Sequence, residues 1–81
     1  MRVRVQFFSQ LKDLAGTAEL NVDLPAGAII GDLLKKLYER TPALREQDSS
    51  ILVGAGLEFV GRDYALKPEE EIAIMPPVQG G

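Results

Sequence analysis

The residues that could do chemistry lie at the C-terminal end, where Pro76-Pro77-Val78-Gln79 precede Gly80 and Gly81. Glycine has no Cβ, so a Gly-Gly end fits a narrow channel and leaves its carboxylate open to an activating group. Two prolines favour a stiff, extended segment, and six residues span at most about 20 Å. The pattern predicts a slender tail that enters a partner's pocket; the alternative is a frayed terminus.

The side chains offer little other chemistry. The sequence contains no cysteine and no histidine, which removes thiolate and imidazole ligands and the commonest nucleophilic and acid-base groups. The run Glu69-Glu70-Glu71 is typical of a solvated turn that enters a strand. Gly54-Ala55-Gly56 lacks the third glycine and the following helix of a phosphate loop, so it indicates a bent strand. We interpret Tyr38 and Tyr64 as packing residues and expect no bound metal or cofactor.

The charge distribution excludes two classes of partner. The net charge is −3, and no basic stripe is present that could follow a phosphate backbone. The first residues alternate charged and apolar side chains, unlike a signal peptide or a membrane span. We therefore expect a cytoplasmic protein that binds neither nucleic acid nor membrane.

The apolar periodicity predicts the elements that hold the tail. Residues 30–40 carry an apolar stripe at helical spacing, and Thr41-Pro42 ends that helix, although Ala28-Ile29 offers no Ser, Thr or Asp cap. Ser9 is expected to cap a short helical turn that Gly16 ends, and residues 44–50 form a polar connection. Alternation and turn residues predict strands at 2–8, 18–24, 58–60 and 72–75. Another strand is expected to begin with Ile51-Leu52-Val53 and to be loosened or bent by Gly54 and Gly56.

This order predicts an α+β fold of the β-grasp type. A mixed sheet of four to five strands packs on one main helix, and the first and last strands are parallel neighbours. We assign residues 1–75 to this domain and residues 76–81 to an extended tail that ends in Gly-Gly.

Three apolar residues fall outside the predicted core. Phe8 points away from Phe7, Phe59 belongs to a short edge strand, and Met75 opposes the face of Ile72 and Ile74. They could fill gaps beneath loops. Because they lie near the start of the tail, we interpret them instead as an exposed patch that marks a partner site.

Two segments resemble a known family. Phe7–Gly16 and Glu71–Gly81 are similar to the small sulfur-carrier subunit of molybdopterin synthase, of MoaD type, a ubiquitin-like protein, and the resemblance extends over essentially the whole chain. The ending Pro-Pro-Val-x-Gly-Gly is fairly specific, although thiamine-type sulfur carriers share the Gly-Gly.

The resemblance implies a non-catalytic carrier subunit of a sulfurtransferase complex. An activating enzyme would use ATP to adenylate Gly81, which follows Gly80, and the carboxylate would become a thiocarboxylate. The tail would enter a large catalytic subunit, in a heterotetramer of two small and two large subunits, and give its sulfur to cyclic pyranopterin monophosphate for the dithiolene of the molybdenum cofactor. The residues facing the large subunit would be Phe8, Phe59, Met75, Pro76, Pro77, Val78 and Gln79.

Three alternatives remain open at this point. The activated tail could be joined to lysine amines of other proteins, as in a ubiquitin-like modifier. The chain could be a thiamine-type sulfur carrier. It could also be a plain interaction domain with a frayed end, in which case Gly81 would be dispensable.

Overall fold

A computed structural model describes residues 1–77 as five strands, three helices and one 3₁₀ turn. The strand order in the sheet is β2-β1-β5-β3-β4, with β1 and β5 parallel and the other neighbours antiparallel. The predicted fold class and the parallel pairing of the terminal strands are confirmed. The elements are β1 (Arg2–Phe7), α1 (Gln10–Ala15), β2 (Glu19–Asp23), α2 (Ile30–Arg40), α3 (Pro42–Arg45), the 3₁₀ turn (Asp48–Ser50), β3 (Leu52–Ala55), β4 (Glu58–Phe59) and β5 (Glu71–Met75).

The hydrophobic core fills one face of the sheet. Alternate residues of the two central strands and the apolar stripe of α2 are buried in one cluster, because their periods of 2 and 3.6 place them on facing surfaces. Burial of each large aliphatic side chain is worth about 1.5–3 kcal/mol. The central members are Val3, Val5, Ile72 and Ile74 from the sheet and Ile30, Leu33, Leu34 and Leu37 from α2.

Helix α2 begins without a Ser, Thr or Asp at its N-cap. The Ile29 N–H donates to a carboxylate oxygen of Asp32 at 2.9 Å. The next two backbone N–H groups donate to a distant loop, Ile30 to the Tyr64 carbonyl at 3.0 Å and Gly31 to the Arg62 carbonyl at 2.9 Å. Loop carbonyls therefore satisfy the groups that a cap would serve, which the local sequence did not indicate.

The prediction of a polar connection at 44–50 is wrong in part. Pro42 occupies the first turn of α3, where a missing N–H is harmless. The Leu44 side chain is buried in the core. A four-residue helix is too short to show periodicity in the sequence. Neither α3 nor the burial of Leu44 could therefore be predicted from the pattern.

The short helix α1 differs from the prediction at its start and agrees at its end. Ser9 has a φ of 54° and its side chain makes no capping hydrogen bond. Gly16 ends the helix as predicted, in a left-handed conformation with a φ of 76°, and its N–H donates to the Lys12 carbonyl. Leu11 is buried, whereas Leu14 in the same helix is exposed.

The last described residues follow the sheet directly. Strand β5 ends at Met75, and Pro76 and Pro77 belong to no helix or strand and are half-buried. Val78, Gln79, Gly80 and Gly81 lie outside the described residues. The division into a domain at 1–75 and a tail at 76–81 stays a prediction.

Candidate functional site

The face of the sheet opposite the core, termed the open face, carries the residues that alternate with the buried ones. On β5, Glu71, Ala73 and Met75 lie on the open face between Ile72 and Ile74, which are buried. No helix of the described chain packs its core-forming residues against this side. The open face is therefore the surface of the sheet that a partner can reach.

One half of the open face is polar. Arg4 lies 2.9 Å from Glu71 and 4.0 Å from Glu19, and the Gln6 amide donates to Glu71 at 3.1 Å. Arg2 and Asp23 pair at 3.5 Å. Exposed ion pairs of this kind stabilise a fold by about 0–1 kcal/mol each, so their main effect is to keep β2 and the start of β1 hydrophilic.

The other half is apolar and is termed the apolar patch, made of Phe8, Leu52, Phe59, Ala73 and Met75. In the sheet register Leu52 is opposite Met75, and Gly54 is opposite both Ala73 and Phe59. The Phe8 N–H donates to the Ile74 carbonyl at 3.1 Å, which places Phe8 beside the end of β5. Phe8 is 44% exposed and Phe59 is 66% exposed.

The structure thus brings three sequence-predicted residues, Phe8, Phe59 and Met75, onto one surface. Met75 is also the last residue of β5, so the patch lies where the chain continues into Pro76 and Pro77. The remaining predicted site residues, Val78, Gln79, Gly80 and Gly81, are outside the described residues. Their chemistry and the partner-binding role of the patch stay predictions.

Sequence reasoning missed three residues near this surface. Leu52 belongs to the patch, and strand alternation with buried Val53 could have placed it there. Gly54 is buried although it lies on the open face. Leu57 is fully exposed in the β3–β4 hairpin, next to Gly56 with a φ of 65°, and no local pattern distinguishes it from a core leucine.

The two tyrosines have structural hydrogen bonds. Burial, and then the hydrogen bond that its hydroxyl donates to Asp48, raise the pKa of Tyr38. The Tyr64 hydroxyl donates to Glu70 at 2.5 Å, and this bond raises the pKa of Tyr64. Tyr38 is buried and Tyr64 is partly buried against the core, which agrees with the interpretation of both as packing residues.

Two further searches covered only the part of the chain that the structure describes. Within residues 1–77, no three Asp or Glu side chains are grouped so that they could hold a metal ion. Over the same residues, no helix is both long and apolar enough to cross a membrane. The expectation of no metal for the whole chain and the expected cytoplasmic location stay predictions.

The strand order, the single main helix beneath one face and the parallel terminal strands define a ubiquitin-like β-grasp protein. The sequence narrows this class further, because the model of the ThiS family matches residues 5–81. The chain belongs to the ThiS family. The resemblance to MoaD-type carriers is confirmed by the relatives described next.

Three proteins illustrate how similar this chain is, in sequence or in structure, to known members of this group. The molybdopterin synthase sulfur carrier subunit of Chlamydomonas reinhardtii is 32% identical over 83 residues that cover 100% of both chains. The structure of a putative molybdopterin converting factor, subunit 1, from Pyrococcus furiosus has a TM-score of 0.88 and 27% identity, and covers 96% of this chain and 99% of the other. The structure of SAMP1 from Haloferax volcanii has a TM-score of 0.87 and 29% identity over 100% of both chains.

Proposed function

We propose that this chain is the sulfur-carrier subunit of a molybdopterin synthase. The observation that carries the proposal is the full-length similarity to a protein named as such a carrier, in a chain that ends in Gly80-Gly81. The β-grasp domain supports it, because β5 leads directly from the apolar patch toward that end. In this proposal the domain is the part that partner proteins bind, and the reactive atom belongs to the C-terminal carboxyl group.

The chemistry requires no titrating side chain of this protein. A carboxylate is a poor electrophile, so an oxygen of the Gly81 carboxylate first attacks the α-phosphorus of ATP on the activating enzyme, and pyrophosphate leaves. A sulfur donor then replaces AMP at the carbonyl carbon, which leaves a thiocarboxylate. In the synthase the thiocarboxylate sulfur bonds to a carbon of cyclic pyranopterin monophosphate, and water then cleaves the acyl carbon–sulfur bond and restores the Gly81 carboxylate. Two such transfers build the dithiolene. Gly80 lets the end of the chain pass through a narrow channel.

The proposed partners are a large catalytic subunit, two copies with two copies of this chain, and an adenylating enzyme. The apolar patch supports the first partner, because exposed aromatic and methionine side chains are enriched where proteins associate. Phe8, Phe59 and Met75 would contact the large subunit beside Pro76, Pro77, Val78 and Gln79. The polar half of the open face would lie at the rim of that contact.

The test is the mass of the intact protein after production together with its activating enzyme and a sulfur source. We expect a mass increase equal to the replacement of one oxygen by sulfur. Deletion of Gly81, or an alanine added after it, should abolish the increase. The unfolding temperature should stay the same, because the core of the described residues is formed by residues 3–74.

A one-residue extension at the N-terminus serves as the matched control and should be loaded normally. An unmodified C-terminus in the wild-type protein under these conditions would contradict the proposal. The growth of cells that lack the chain distinguishes the proposed function from the thiamine-type alternative. A thiamine-type carrier predicts that these cells require thiamine and keep active molybdenum enzymes.

A second function, as a ubiquitin-like modifier, is favoured by one observation. The chain is similar over its whole length to SAMP1, whose name stands for small archaeal modifier protein 1. The same activated tail would then form an isopeptide with a lysine amine. Trypsin cuts after Arg62 but not at the Lys67-Pro68 bond, so a modified lysine would carry residues 63–81. Detection of that remnant in cell extracts would establish conjugation, and abundant thiocarboxylate without it would leave only the carrier role.

A further inference from the structure

Met75 is half-buried on the open face of the sheet, which no helix of residues 1–77 covers. Its terminal methyl reaches diagonally from β5 across β3 and lies over Gly54: a Cβ added at Gly54 would be 3.1 Å from the Met75 methyl carbon. The same Cβ would be 3.7 Å from the Cβ of Ala73 and from the Glu58 carbonyl oxygen. Gly54 itself is buried, so the methionine side chain covers it.

Backbone conformation does not require the glycine. Gly16, Gly27 and Gly56 have positive φ angles, where an L side chain is strained, whereas Gly54 is not among them. Glycine in a strand interior weakens the strand, and it commonly marks a close approach by another group. At Gly54 the approaching group is the side chain of Met75.

We propose that Gly54 positions Met75 and thereby determines the shape of the apolar patch. Without a side chain at position 54, the Met75 methyl lies over Gly54. In the register Met75 is the partner of Leu52, and Gly54 is the partner of Phe59. The Met75 methyl then does not protrude from the apolar patch. The identity of the protein that docks on it, the large subunit, rests on the proposed function.

The physical cost of a side chain at this position falls on the surface and not on the fold. The atom it would meet is the end of an unbranched side chain with three rotatable bonds, which can turn away. A β-branched residue also suits a strand better than glycine does. Gly54→Val should therefore leave the unfolding temperature close to that of the wild type and lift the Met75 methyl into solvent.

An NMR experiment tests this geometry without any partner. The chain contains two methionines, Met1 and Met75, so a sample labelled with [¹³C-methyl]methionine gives two methyl signals. We expect a nuclear Overhauser effect between the Met75 methyl and the Gly54 α-protons. Gly54→Val should move the Met75 signal toward that of an exposed methionine, and the matched Gly61→Val should leave it in place. An unmoved signal, or no Overhauser effect in the wild type, would overturn the proposal.

Measured binding to the candidate large subunit tests whether the position of Met75 affects association through the apolar patch. Gly54→Val should weaken binding roughly tenfold, as for a moderately important interface position. In a Met75→Ala background the same change should have little further effect, because the group it displaces is absent. Equal losses in both backgrounds would show that Gly54 acts independently of Met75.

The two proposals fail differently. If the wild-type chain is neither loaded with sulfur nor bound by the large subunit, the proposed function fails, and the methyl spectra still decide whether Gly54 seats Met75. If loading and binding occur but the two substitutions are additive, the proposed function stands and the inference about Gly54 is wrong.

Discussion

At the scale of single residues, Tyr38 and Arg62 converge on Asp48. The Tyr38 hydroxyl donates to the Asp48 carboxylate, and the Arg62 guanidinium donates to the backbone carbonyls of Asp48 at 2.8 Å and Ile51 at 3.3 Å. These bonds fasten the turn after α3 to α2 and to the loop before β5. Three segments that are distant in sequence are thereby held together.

The raised pKa of Tyr38 predicts a loss of stability in alkali. Burial, and then the hydrogen bond to Asp48, raise this pKa above its ordinary value of 10.0, so the unfolded chain loses the proton first. The contribution of the Tyr38 hydroxyl to the free energy of unfolding is complete below about pH 10 and decreases as the pH rises above that value. Tyr38→Phe should flatten the pH dependence of the free energy of unfolding between about pH 9 and pH 11.

Urea titrations at several pH values measure this effect. Tyr64→Phe is the matched control, because the pKa of Tyr64 is also raised but its environment is more exposed; we expect a smaller change. The explanation would be wrong if Tyr38→Phe and the wild type lost stability in parallel throughout that range.

The sequence was informative about faces and less so about neighbours. Alternation correctly set Met75 opposite Ile74 and Phe8 opposite Phe7. It could not show that Met75 covers Gly54, because that contact joins strands whose register is a tertiary property. Ser9 was expected as a cap, but its positive φ turns its side chain away from that role.

At the scale of elements, α2 depends on the loop that precedes β5. Its first backbone N–H groups bond to the carbonyls of Arg62 and Tyr64, and Asp32 serves the Ile29 N–H. The helix and the loop therefore stabilise each other. The apolar stripe alone predicted α2, whereas its start could not be explained until the loop was in place.

The Asp32 carboxylate should contribute measurably to stability. It accepts a hydrogen bond at the helix start and its negative charge is favourable near the positive end of the helix dipole. We expect Asp32→Ala to lower the free energy of unfolding by about 1 kcal/mol. Glu39→Ala, an exposed change later in the same helix, is the control and should cost less in the same urea titration. Equal costs would mean that the carboxylate has no special role.

The outer edge of β2 is protected by side chains. The Thr17 hydroxyl donates to the Glu19 carbonyl at 2.9 Å, and the Lys36 ammonium donates to the Asp23 carbonyl at 2.9 Å. Occupied backbone groups are a poor template for an added strand. With these two carbonyls occupied, the edge is a less favourable site for an added strand.

At the scale of the whole molecule, the sheet separates the hydrophobic core from the surface proposed to bind a partner. The core lies on one side, and the apolar patch lies on the other near the end of β5. The strand order was predictable because each element has its own period and the connections leave few topologies. The exposure of Leu57 and the burial of Leu44 were not, since they depend on which surfaces remain covered in the complete fold.

The separation predicts that a charge on the apolar patch weakens association with the proposed large subunit and leaves the fold intact. Phe59→Asp should weaken binding to the large subunit by at least about tenfold, because it buries a carboxylate in an apolar contact. Leu57→Asp adds the same charge two residues earlier, at a fully exposed position in the hairpin, and should bind normally. Calorimetric titration with unfolding curves for both variants measures this. Equal binding by the two variants would place the contact elsewhere.

The central place of β5 in the sheet has a consequence for synthesis. This strand bonds to both β1 and β3 but is the last one made, so a chain interrupted before it leaves the sheet in two unconnected halves. Such a fragment cannot bury its apolar surface and is exposed to proteases. The architecture thus removes copies truncated before β5, which would also lack the C-terminal group that the proposed function requires.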